Sequence, residues 1–343
     1  MLPNEPLYPL LFADLFKEKL WGGRRLQTEF GRPLPPGKAI GESWEVSDRA
    51  PDTSIISNGP RRGTSLHQLL LGRREDLLGP GVDLGRFERF PLLIKFIDAH
   101  QVLSLQVHPP DDFAREHDPQ DDGKTEMFYI LGSSPGTVLY LGLRPGVTRA
   151  DFERAVTAGG RKELLRPVRV APGDCIFLPP GTLHAPGAGM FFAEVQQNSD
   201  LTYRVHDWDR VGADGRPRPL QLEKALAVIQ WDAPREPKVT PQPFAQRQLR
   251  AEGQLRRELL VRCPKFTAER WTLAQPVAVP LAGRFRILLD LEGEVAIGWP
   301  GGKEPVLLPR GRTALLPAAL GEVRLEPRGP SVLLVAHRDG EGG

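Results

Sequence analysis

Short runs of Val, Ile, Leu and Phe, each closed by Pro, Gly or a polar turn, recur through the first two thirds of the chain: 91–98 (PLLIKFID), 101–108 (QVLSLQVH), 126–131 (EMFYIL), 137–142 (TVLYLG), 174–179 (DCIFLP), 190–196 (MFFAEVQ) and 201–207 (LTYRVHD). Runs of this kind predict β-strands, and their density predicts a sandwich or barrel rather than a parallel α/β sheet. Helical patterns interrupt them. Ser65 is placed to cap the run 66–78, with Gly79 just past its end. Thr148, with Asp151 three residues on, opens a helix over 149–157. Segment 220–231 carries Leu222, Leu226 and Ile229 at helical spacing. Four prolines between Pro234 and Pro243 predict a linker, and beyond it 258–337 returns to short strands such as 284–290 and 331–336. The expected organisation is a domain over 1–233, a linker over 234–243 and a smaller β domain over 244–343, whose polar tail, 338–343, frays.

Composition narrows the class. The chain has 343 residues, 40% hydrophobic and 26% charged, which suits a packed interior. Its 36 Gly and 35 Pro follow no repeat period and supply turns between short strands. The 45 Lys+Arg against 43 Asp+Glu leave a net charge of +2, which argues against a nucleic-acid binder. Two cysteines, Cys175 and Cys263, make no disulfide framework and suit a reducing compartment. Met1–Gly23 lacks the basic start of a secretory signal, and no run approaches the roughly 20 apolar residues that span a bilayer. The expectation is a soluble, cytoplasmic protein with no membrane partner.

Candidate chemistry begins at Ser104-Leu105-Gln106-Val107-His108. Strand alternation puts Ser104, Gln106 and His108 on one face and Leu103, Leu105 and Val107 on the other, as suits a strand lining a cavity. Lys124 and Glu126 share a face in the same way. Gly173-x5-Pro179-x-Gly181-x2-His184 reads as strand, tight turn and a His opening the next strand, a spacing that resembles the second cupin motif, with Ala188 in place of that motif's Asn. The first cupin motif occurs in altered form, as Gln106-x-His108 and then Glu126 after an inserted loop, 109–123. Together Gln106, His108, Glu126 and His184 make a mixed nitrogen and oxygen ligand set of the kind zinc accepts. Further on, alternation pairs Glu194 with Gln196 and Thr202 with Arg204. The cluster Arg247, Arg250, Arg256, Arg257 and Arg262 reads as a solvated face, and His67, His100, His117, His206 and His337 as structural. Trp21, Trp44 and Trp208 are expected against the barrel or its rim.

The ordered set Trp21-Gly22-Gly23, Gly41-Glu42-Ser43-Trp44-Glu45, Leu103 to Pro109, Gly123-Lys124-Thr125-Glu126, Pro180-Gly181-Thr182-Leu183-His184 and Ser199 to Arg204 resembles type I mannose-6-phosphate isomerase, in its short bacterial form, over about 15–231. The resemblance implies a mainly β fold of two cupin-type jelly-roll barrels, with a few helices inserted around the N-terminal one. It also implies one zinc per chain held by Gln106, His108, Glu126 and His184. Lys124, Glu194 and Arg204 correspond to the family's catalytic-pocket residues, while Lys95 and Ser104 fall at positions tied to the substrate phosphate. Two departures concern the substrate: Pro186 stands where longer forms carry Tyr, and Gln221 where short forms often carry His.

The reaction so implied moves a proton between C1 and C2 of a sugar phosphate through an enediol. It needs a base, an electrophile and an anchor for the far end. Glu194 is the ordinary candidate for the base, Arg204 a clamp for developing negative charge, and Lys124 a proton shuttle. Lys95 and Ser104 form a phosphate anchor if the strands joined through Ile97–Gln101 pair with each other. Alternatives are a non-catalytic sugar-binding cupin, an iron oxygenase of the same fold, and an isomerase for an unphosphorylated sugar.

Overall fold

The computed structural model describes residues 5–158, 162–212, 215–231, 238–243 and 255–338. Among these, the strands form four antiparallel sheets of six, five, seven and four strands. The six-stranded sheet runs, in spatial order, Phe16–Gly23, Ile40–Val46, Leu92–Ala99, Met190–Gln197, Glu126–Ser133 and Cys175–Leu178. The five-stranded sheet runs Tyr203–His206, Leu105–Val107, His184–Pro186, Val138–Leu143 and Leu165–Arg169. The seven-stranded sheet is built from residues beyond 240, except at one edge, where Leu10–Leu11 pairs with Thr313–Leu316.

Period-two alternation in the six-stranded sheet explains how these layers stack. Leu92, Ile94 and Phe96, with Phe191, Ala193 and Val195, turn outward and meet Ile287, Leu289, Leu334 and Ala336 of the seven-stranded sheet in one core. Each fully buried Phe or Leu there contributes about 1.5–3 kcal/mol. On the opposite face Ile97, Phe128, Ile130 and Phe192 pack against Leu139 and Leu141 of the five-stranded sheet. That face changes character along its strands: past Phe128 and Phe192 it continues as Glu126, Glu194 and Gln196, beside Lys95, all of them buried. One end of the barrel is therefore a sealed apolar plug and the other a polar chamber. A third core, around Trp271, fills the space between the seven- and four-stranded sheets. Helices Arg149–Ala158 and Leu222–Val228 cover the outer side of the five-stranded sheet through Phe152, Val156, Ala225 and Val228. The molecule is mainly β, with helices grouped about the first barrel.

Several expectations change on contact with the structure. The run 66–78 is two helices, Leu66–Gly72 and Arg74–Leu78, broken at Arg73, whose φ of −146° is not helical; the Ser65–Gln68 capping box is present. The loop 109–123 contains a helix, Asp111–His117. The strands at 91–98 and 101–108 do not pair. The first lies between Ile40–Val46 and Met190–Gln197, and the second contributes only Leu105–Val107, in the other sheet. Residues 234–237 of the expected linker lie outside the described residues; in the rest, Lys238 bridges to Ile176, and Gln242–Pro243 pairs with Glu258–Leu259. Within the basic cluster, Arg257 is not merely solvated: it is bidentate to the buried Glu269, at 2.7 Å on both oxygens. Arg256 lies 2.7 Å from Glu258, while Arg247 and Arg250 lie outside the described residues. Of the tail, only Arg338 is described, and it pairs with Asp83 at 3.1 Å. Trp21 and Trp44 are buried, and Trp208 donates its Nε1 hydrogen to Leu103 O at the rim.

Candidate metal centre and active site

Strand geometry brings His108, Glu126 and His184 together from three separate elements, all buried, with one ligand atom each within 4.8 Å of the others. Both imidazoles are held by their far nitrogens. Nδ1–H of His108 donates to Leu201 O at 2.9 Å, and Nδ1–H of His184 donates to Thr182 O at 3.0 Å. Each Nε2 therefore carries a lone pair, and both point at one carboxylate oxygen: Glu126 Oε1 is 3.3 Å from His108 Nε2 and 3.1 Å from His184 Nε2. Burial, with Lys124 beside it, pushes His108 down to about 4, so the imidazole stays neutral. Burial opposes charge on Glu126, yet the Lys124 ammonium holds its carboxyl well below the usual carboxylate range. Lone pairs facing a carboxylate oxygen across about 3.2 Å repel unless a cation lies between them, and His108 Nε2 and Glu126 Oε1 have no hydrogen-bond partner in the protein. Two ligands each about 2.1 Å from a tetrahedral ion lie about 3.4 Å apart. The donors fit a divalent metal.

Gln106 sits directly across from His184 in the five-stranded sheet. Its Nε2 donates to His184 Nε2 at 3.2 Å, and its Oε1 accepts from Ser104 Oγ at 3.0 Å. Turning the amide over would present the oxygen to the cluster instead.

A second group begins on the other side of Glu126. Lys124 Nζ lies 2.8 Å from Glu126 Oε2 and 3.4 Å from Glu194 Oε1. Lys95 Nζ lies 3.5 Å from Glu194 Oε2, 3.7 Å from Glu42 and 3.4 Å from Asp200. The register aligns them, since Glu194 pairs with Lys95 on one side and Phe128 on the other, and Gln196 pairs with Glu126. Burial pushes Glu194 up to about 8, against the pull of Lys124 and Lys95. Desolvation works to discharge both lysines, but Glu42 and Glu194 raise Lys95, and Glu126 and Glu194 raise Lys124. Two ammonium groups thus face the buried carboxyl groups of Glu42, Glu126 and Glu194.

Arg204 is cross-strand from Gln106 and shares its face of the five-stranded sheet. Its Nη1 donates to Pro219 O at 2.9 Å, its Nε has no partner, and burial together with Arg218 lowers its pKa. Its backbone is bracketed by Gln221, which accepts from Arg204 N at 3.0 Å and donates its own N–H to Arg204 O at 2.9 Å. Pro186 and Ala188 lie on and just beyond the strand that begins at His184. Ser104 reaches Gln106 rather than Lys95. Sequence reasoning missed Glu42 and Asp200 as partners of Lys95. Both lie in quoted motifs, Gly41-Glu42-Ser43-Trp44-Glu45 and Ser199 to Arg204, but no local sequence signal marks either as a partner of Lys95.

Comparisons with known proteins point the same way. The profile for the phosphomannose isomerase type I catalytic domain matches residues 10–132. The chain is 36% identical over 331 residues to a probable mannose-6-phosphate isomerase, GmuF, of Bacillus subtilis, covering 96% of this chain and 99% of that one. It is 34% identical to the mannose-6-phosphate isomerase ManA of the same organism, over 96% and 98% of the two chains. The crystal structure of the mannose 6-phosphate isomerase from Bacillus subtilis superposes with a TM-score of 0.85 at 30% identity, over 96% of this chain and 99% of that one.

Proposed function

Since the chain belongs to the type I phosphomannose isomerase family, we propose that it interconverts mannose 6-phosphate and fructose 6-phosphate, with zinc held by Gln106, His108, Glu126 and His184. The observation that carries this reading is the convergence of two imidazole lone pairs on one buried carboxylate oxygen, backed by a lysine–glutamate relay. When bound, the metal supplies a Lewis acid for the sugar's carbonyl and hydroxyl oxygens.

The chain's own residues do the rest. Glu194 takes the C2 proton and returns it at C1, a task that suits a carboxyl whose pKa is raised toward neutrality. Lys124, in contact with both Glu126 and Glu194, bridges the two carboxyl groups and relays a proton to the sugar oxygens. Arg204 places a guanidinium against the negative charge of the enediol intermediate. Lys95 anchors the phosphate, with Asp200, half exposed, as the partner that phosphate displaces from it; the strand pairing that would set Ser104 beside it is absent.

One observation favours a second reading. Lys95 is already enclosed by Glu42, Glu194 and Asp200, a setting that disfavours a dianion and suits an unphosphorylated sugar. A coupled isomerase assay on mannose 6-phosphate and on free mannose, with metal analysis of the same preparation, separates the two. Roughly a hundredfold preference in kcat/KM for the phosphate, about 2.7 kcal/mol, supports the first, and Lys95→Met should erase most of it. Comparable rates on both sugars support the second. Full activity with metal shown to be absent overturns both.

A further inference from the structure

On the far side of Gln197 from the metal ligands, a cavity of about 260 Å³ opens where the two halves of the chain meet. Residues 83–87 and 89–91, Asp111 and Arg115 of the helix Asp111–His117, and Asp122 wall it from the N-terminal half; Lys265 and Arg338 close it from the other. Five cationic side chains line it against three carboxylates. Each carboxylate is taken. Asp83 pairs with Arg338 at 3.1 Å, Asp122 with Arg86 at 2.9 Å, and Asp111 with Lys265. Arg89 and Arg115 remain, and among the described residues neither has a carboxylate within ion-pair distance. Arg89 is held in place, its guanidinium 4.6 Å from the Phe87 ring that also carries Arg86, and its Nη1 is buried with no acceptor in the protein.

We propose that this cavity is a binding site for a small phosphate-type dianion, with Arg89 and Arg115 as its principal cations. Two unmatched guanidinium groups balance two negative charges, and a fixed guanidinium fork matches a tetrahedral oxyanion better than it matches chloride. Both principal cations come from the N-terminal half of the chain, with Lys265 and Arg338 bordering the site from the other. Occupancy reaches the chamber through two hydrogen bonds. Gln197, in the cavity wall, donates to Asp111 Oδ1 at 2.9 Å and accepts from Thr125 N at 2.8 Å, and Thr125 lies between Lys124 and Glu126. An anion that draws Lys265 from Asp111 shifts the carboxylate that Gln197 holds, and the change is felt at the second bond.

The test is binding rather than turnover, so it stands apart from the proposed isomerase activity. Titration calorimetry with inorganic phosphate, at ionic strength held constant with chloride, is run on the wild type, Arg89→Met and Arg115→Met. Glycerol 3-phosphate in a parallel arm distinguishes a site for phosphate esters from one for the free ion. Arg89→Met should weaken one class of phosphate site by about tenfold or more, as loss of a charge-assisted pair implies, while kcat without added phosphate stays at the wild-type value. Should Arg89→Met fail to fold, Arg115→Met, a change at an exposed side chain, decides by the same readout. Phosphate binding unchanged in the folded variants, or a wild-type response no larger than that to chloride, overturns the proposal.

Discussion

Gly123→Ala tests how the chamber is built. A Cβ at 123 would lie 2.5 Å from Asp111 N, 2.5 Å from Pro110 C and 2.7 Å from Pro109 O, all of them backbone atoms. Ordinary carbon contacts begin near 3.4 Å, so the two segments must part by about 0.9 Å. The Pro109–Pro110 side is stiff, because each ring fixes φ. Lys124 N also donates to Pro109 O at 3.0 Å, so the movement falls on Lys124 and on its 2.8 Å contact with Glu126. Misplacing a positioned group by about 1 Å costs about a hundredfold in rate, or about 2.7 kcal/mol. Overpacking of this kind costs a further 1–3 kcal/mol, roughly, in stability. The assay is kcat on saturating mannose 6-phosphate at matched metal content, beside the urea midpoint of the same preparation. A large fall in kcat with metal retained is the expected result. Wild-type kcat together with a wild-type midpoint would refute the packing argument.

Three further perturbations probe other links. Arg204→Lys should lower kcat by about tenfold or more with little change in KM, because an ammonium cannot match the two-point geometry of a guanidinium; unchanged kcat with a raised KM would make Arg204 a binding residue only. Burial pushes the Asp290 carboxyl up to about 8, and neither oxygen has a protein partner. Against an unfolded value near 3.9, the folded state retains this proton, so the group costs stability as pH rises from about 4 to about 8, by up to about 1.4 kcal/mol per unit. Asp290→Asn removes that cost, so its urea midpoint should move above that of the wild type increasingly from pH 5 to pH 8; a constant gap would sink the assignment. Burial also pushes the Cys175 thiol up to about 12, so iodoacetamide should leave it unmodified in the native protein and label it on unfolding, as read by mass spectrometry.

The strands that line the chamber were legible because one of their faces is apolar without interruption. Alternation about Leu105 and Val107 fixes where Gln106 and His108 project, and alternation about Ala193 and Val195 does the same for Glu194. Strand Ile40–Val46 was not legible as a strand: its sequence, IGESWEV, is polar, yet every residue is buried. Its carboxylates are carried by distant cations, Glu42 by Lys19 and Lys95 and Glu45 by Arg32, and no local pattern reports that. Helix Asp111–His117 has only Phe113 and Ala114 as apolar residues, so periodicity is mute. Its signals are electrostatic, with Asp111 and Asp112 in the first turn and Arg115 and His117 in the last. The pairing of 91–98 with 101–108, on which the Lys95–Ser104 anchor was conditional, does not form, because these strands, adjacent in sequence, cross between facing sheets. Lys95 and Ser104 therefore enter the chamber from opposite walls, and sequence spacing does not report the distance between them.

The pairing of Leu10–Leu11 with Thr313–Leu316 bears on how the chain is made. The two partners are separated by about 300 residues, which a ribosome adds in roughly 15–60 s. Throughout that interval two leucines destined for a fully formed sheet have no complementary strand to meet. A shorter delay of the same kind applies to the outward face of Leu92, Ile94 and Phe96, whose cover from Ile287, Leu289, Leu334 and Ala336 is translated later. A nascent chain of this design exposes sticky surface until synthesis is nearly finished. Chaperone dependence should therefore track the translation time of the C-terminal third more closely than the stability of the finished molecule.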